Sequence, residues 1–107
     1  MDIPKKIKVG PYDYKIVVEG LHWYEQHGKY GDCHDDKRQI SIVEMDDHTT
    51  IDTLLHEVLH ACYLVMDIKD KDTEETTVTR LGTALTMVFR DNPKLVELLG
   101  DLYGESS

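Results

Sequence analysis

Apolar and polar residues alternate along the first half of the chain, and apolar residues recur at helical spacing along the second; the change falls near residue 48. Ile7 and Val9 run into Gly10-Pro11, a turn dipeptide. Beyond it Tyr12, Tyr14, Ile16 and Val18 interleave with Asp13, Lys15, Val17 and Glu19, so a β-hairpin is expected. Gly20 closes its second strand. Residues 21–28 (LHWYEQHG) fit neither period, Gly31 to His34 suits a short edge strand, and Gln39 to Val43 alternates once more. Together these segments predict a small antiparallel sheet.

From Thr49 the stripe Ile51, Leu54, Leu55, Val58, Leu59, Cys62, Val65 and Met66 describes one face of a helix, with Asp47, Thr49 or Thr50 as its N-cap. The polar stretch Asp67 to Asp72 reads as a connection. Val78, Leu81, Leu85, Val88 and Phe89 mark a second helix that stops before Asn92-Pro93. A short third helix carries Leu95, Val96, Leu98, Leu99 and Leu102 and frays into Gly104 to Ser107; its stripe suits core or a dimer face. Strands first and helices afterwards give an α+β arrangement, and 107 residues leave room for one domain, residues 1–107.

Composition narrows the function classes. Twelve Lys and Arg against 21 Asp and Glu leave a formal charge of −9, which opposes docking on nucleic acid or anionic lipid. No apolar run approaches the roughly 20 residues that span a bilayer, and no apolar segment follows Lys5-Lys6 as in a secretory leader. No membrane is expected, and a cytoplasmic location is. Cys33 and Cys62 do not amount to a disulfide framework and are read as free thiols.

The chemistry lies in the first long helix, where His56-Glu57-Val58-Leu59-His60 spells HExxH. Side chains four apart on a helix stand one above the other, so His56 and His60 can grip one Zn²⁺ at about 2.0–2.1 Å. Glu57 flanks that position and can reach a bound water, which makes it the candidate general base. The uncharged surround Thr53, Leu54, Ala61 and Cys62 suits a partly dry site.

Zinc needs a third protein ligand, and a catalytic site keeps its fourth position for water. Glu75, in the first turn of the second helix, is the first choice and Glu74 the substitute. The competing role for Glu75 is structural, because Asp72-x-x-Glu75 has capping-box spacing. Tyr30, Tyr63, His34 and Tyr103 are candidate donors to a tetrahedral oxyanion, and Gly31 to His34 could bind an extended peptide by strand addition. His48 lies about 12 Å along the axis from His56 and is expected to face solvent. His22 and His27 flank Trp23-Tyr24 as packing or rim residues, and Cys33 to Asp36 is an acidic turn whose thiol could instead approach the metal. The acidic run Asp67 to Glu75 lacks the spacing of a calcium loop.

In this order, the sheet-forming half, Gly31-Asp32, Gln39-Ile40-Ser41-Ile42, TLLHEVLHA (residues 53–61), EExxV (residues 74–78) and FRDNP (residues 89–93) resemble the small phage-encoded metallopeptidases, which are similar to ImmA/IrrE-type zinc peptidases and minimal gluzincins. The resemblance spans most of residues 5–100. It implies a zincin-like fold, Zn²⁺ as cofactor, His56, His60 and a Glu of the following helix (matching Glu75) as ligands, Glu57 as general base, a peptide or protein substrate, and host cytoplasm as location. Only 14 residues separate His60 from Glu75, fewer than in larger gluzincins. The alternative function is a non-catalytic acidic phage protein that binds a host regulator, with zinc structural or absent.

Overall fold

The computed structural model describes residues 1–104. Strands β1 (Lys6–Val9) and β2 (Tyr12–Glu19) form the expected hairpin, with Val9 opposite Tyr12. Gly10 holds a φ of 58°, the positive value that a II′ turn requires at its first central residue. The stretch that fitted neither period contains the short helix α1 (Leu21–His27), ended by Gly28 in left-handed conformation. It buries no residue, which is why no amphipathic stripe marks it.

Strands β3 (Gly31–His34) and β4 (Gln39–Val43) make a second antiparallel hairpin, and the four strands lie in the order β1-β2-β4-β3. β2 and β4 are parallel, from Lys15 opposite Gln39 to Glu19 opposite Val43. The sheet is therefore mixed rather than antiparallel. Alternation reports which face is buried and says nothing of direction. Here α1 and β3 carry the chain back, so that β4 enters beside β2 pointing the same way. Ile7, Val9, Tyr14, Ile16, Ile40 and Ile42 are all buried in the main core. β4 buries Ser41 and Val43 as well, so both of its faces are covered.

Three helices follow: α2 (Asp47–Val65), α3 (Glu74–Asp91) and α4 (Pro93–Tyr103). α2 supplies Ile51, Leu54, Val58, Ala61 and Cys62 to the core, while Leu59, counted on the same stripe, is exposed. α3 buries Ala84 and Val88, and Val78 and Phe89 of its predicted stripe face outward. α4 buries Leu95 and Leu98. Among the described residues the architecture is α+β, a mixed four-stranded sheet with four helices.

Both long helices are capped one position away from expectation. Asp46, not Asp47, Thr49 or Thr50, caps α2 by accepting from the Thr49 backbone N–H at 3.1 Å. The buried Thr50 hydroxyl reaches back instead to accept from the Met45 N–H. Thr73 caps α3 by accepting from the Thr76 N–H, so the Asp72/Glu75 capping box does not form. Asp72 accepts from the Lys69 N–H and from Arg80, which ties the α2–α3 connection to α3.

Asn92 does more than end a helix. Its Oδ1 accepts from the Lys8 N–H at 2.8 Å, and its Nδ2 donates to the carbonyls of Lys8 and Val88. The amide thus pairs with β1 as a neighbouring strand would and closes that sheet edge.

Candidate functional site

α2 carries the HExxH residues past the outer strand β3. Its buried stripe fixes the rotation of the helix and leaves His56 and His60 on the exposed side, one turn apart. Their Nε2 atoms approach to 3.2 Å, with ring planes 76° apart. Two nitrogens bound tetrahedrally to one zinc at about 2.05 Å lie roughly 3.3 Å apart. The same atom of each ring is thus already at the spacing that a shared ion requires.

Glu57 lies against β3 at Gly31, lines the same cleft as the two histidines, and is 6% exposed. Burial raises its carboxyl above the ordinary value; His56 and His60 oppose that rise, Asp32 adds to it and Lys29 opposes it. Gly31 makes the close packing possible. A Cβ there would sit 2.9 Å from Glu57 Oε2 and 2.8 Å from Thr53 Cγ2. Only a glycine lets β3 approach α2 this closely without displacing the carboxylate.

Between β3 and α2 opens a cleft of about 730 Å³, lined by all three HExxH side chains that carry chemistry. Tyr30, Asp32 and Cys33 line one side, and Asp52, Tyr63, Leu64 and Ile68 line the other. Asp32 accepts from Lys29 Nζ at 3.2 Å and from His34 Nε2 at 2.8 Å, so the carboxylate on the β3 side is already paired. Of the four oxyanion candidates, Tyr30 and Tyr63 reach the cleft. His34 and Tyr103 do not, and Tyr103 instead hydrogen-bonds His48 at 2.9 Å.

Cys33 and Cys62 are both free, as expected. Burial first, then Glu57, pushes the Cys33 thiol up to about 12, so without a metal beside it the thiol stays protonated at neutral pH. The Cys62 thiol is pushed up to about 11 by burial.

Glu75 lies apart from the histidines. It is exposed in the first turn of α3, does not line the cleft, and accepts from the Thr79 hydroxyl at 3.5 Å. Glu74 is likewise exposed and outside the cleft. Among the described residues no group of three or more His, Cys, Asp and Glu is gathered as a metal cage. The two imidazoles have the donor atoms and spacing of a zinc-binding pair, and neither Glu75 nor Glu74 stands beside them. No family model, curated protein or solved structure matches the chain.

Asp52 and Lys29 carried no weight in the sequence, and Gly31 was weighed only as the start of an edge strand and as part of the resemblance. Asp52 precedes His56 by one turn, a position that the helical period marks. Gly31 opens a strand, where a glycine signals close backbone approach. Lys29 pairs with Asp32 only three residues on, at the turn into β3, where no helical or strand period marks it. No described helix is long and apolar enough to cross a membrane.

Proposed function

We propose that this chain is a zinc-dependent peptidase of the HExxH type, related to the small phage-encoded enzymes its sequence resembles. The observation that carries the reading is the convergence of His56 Nε2 and His60 Nε2 at 3.2 Å beside a buried glutamate in an open cleft. Zinc held by these imidazoles would supply a Lewis acid and lower the pKa of a bound water to about 7. Glu57 accepts the proton of the attacking water and passes it to the leaving amine. Burial raises its proton affinity above that of an ordinary carboxylate, which suits a group that must take a proton and return it. Tyr30 and Tyr63 are the cleft hydroxyls available to donate to the developing oxyanion.

Glu75 is the third ligand on this reading, with Glu74 as its substitute. Since it stands outside the cleft, loading the metal requires the 67–73 connection and the first turn of α3 to shift toward α2. Binding and local ordering are then coupled.

Purified protein titrated with Zn²⁺ should retain about one ion per chain by elemental analysis. His56→Ala and His60→Ala should abolish retention, and Glu75→Ala should weaken it by at least tenfold. Glu57→Gln should keep the metal and lose all peptide cleavage. Cleavage that survives Glu57→Gln, or an unmetallated wild type, overturns the proposal.

A further inference from the structure

The cleft is chemically polarised along α2. At one end stands Asp52, exposed, lining the cleft and one helical turn before His56. No cation among the described residues pairs with it, whereas Asp32 across the cleft is held by Lys29 and His34. At the other end Tyr63, Leu64 and Ile68 form an apolar wall, with Tyr63 37% and Leu64 50% exposed. Asp52 lies about 6 Å along the axis before His56, and Leu64 about 6 Å beyond His60. An extended peptide covers either distance in about two residues.

We infer that Asp52 is a specificity-determining residue, and that the cleft selects peptides with a Lys or Arg on one side of the bond at the histidine pair and an aliphatic or aromatic side chain on the other. The inference rests on the peptidase reading for the position of that bond, but not for the selectivity itself. A cationic side chain reaching Asp52 meets a carboxylate with no internal partner. An acidic one meets Asp52 in a domain that already carries a net charge of −9. At the opposite end an apolar side chain covers surface that is otherwise wet, while a charged one loses hydration without finding a partner. Discrimination therefore has an attractive and a repulsive part at each end.

The full chain, loaded with Zn²⁺, is incubated with a mixture of heptapeptides in which each position is varied through Lys, Arg, Glu, Leu, Phe and Ala. Products are read by mass spectrometry, and binding of the same peptides to Glu57→Gln protein is read by fluorescence anisotropy. Lys and Arg should exceed Glu by about tenfold at one position, with Leu or Phe preferred across the bond. Asp52→Lys should reverse the charge preference while leaving zinc content and the apolar preference unchanged. The charge preference should shrink as salt rises from 50 to 500 mM.

Cleavage with the same charge profile in wild type and Asp52→Lys overturns the inference and leaves the peptidase reading intact. Binding with an Asp52-dependent basic preference, but no cleavage by zinc-loaded wild type, supports the inference and removes the peptidase reading. Peptides neither bound nor cleaved remove both.

Discussion

Glu57 is a carboxyl that the fold would sooner keep neutral. Burial holds it above its ordinary value of 4.5, even beside two imidazoles. Between that value and the raised one the folded chain keeps a proton that the unfolded chain has released. Stability therefore falls as pH rises through this window, and the cost persists at neutral pH. In excess chelator at pH 7, Glu57→Gln should melt higher than wild type, and the gap should close below about pH 4.5. Equal melting temperatures at both pH values would mean that the carboxyl is not destabilised by its setting. A group that weakens the fold at the point where chemistry is expected follows the usual exchange between stability and activity. The HExxH triplet was legible at this scale because local helical geometry alone sets its spacing. Glu75 was not, because its distance from the histidines depends on how α3 docks and not on 14 residues of sequence.

Between elements, the decisive contact is that of β3 with α2. Gly31 brings the outer strand against Thr53 and Glu57 with no space for a methyl group. Gly31→Ala should cost about 1–3 kcal/mol by overpacking and move the Glu57 carboxylate, lowering any cleavage rate at least tenfold while His56 and His60 still bind zinc. Chemical denaturation together with zinc titration checks both parts. Unchanged stability would show that β3 can slide away from α2. The caps illustrate the limits of local reading. Asp46 and Thr73 each sit one place from the nearest residue favoured by pattern, because Asp, Thr and their neighbours all have capping chemistry and only backbone geometry selects among them.

Across the whole molecule, residues 84 apart in sequence are joined by one amide. Asn92 satisfies both the N–H and the C=O of Lys8 and adds a bond to Val88, linking the α3–α4 junction to the first strand. Asn92→Ala would strand those backbone groups in a 9% exposed setting. A loss of about 3 kcal/mol is expected, lowering Tm by roughly 12–20 °C. Asn92→Asp should also destabilise, since a carboxylate cannot donate to the two carbonyls. Calorimetry on both variants checks this, and a wild-type Tm in either would remove Asn92 from its edge-sealing role. In the sequence, Asn92-Pro93 spoke only of a helix stop, since nothing local reveals a partner in β1.

The amino-acid order by itself determined the α+β class, the first hairpin, the two long helices and the pairing of His56 with His60. Each follows from periods of two or 3.6 residues, which act over one or two turns. Tertiary structure decided the rest: the parallel β2–β4 pairing, the burial of Glu57 beneath Gly31, the place of Asp52 at one end of the cleft and of Glu75 outside it. Those features depend on how elements pack across the sheet, and packing answers to the shape of the whole core rather than to any one stretch of chain.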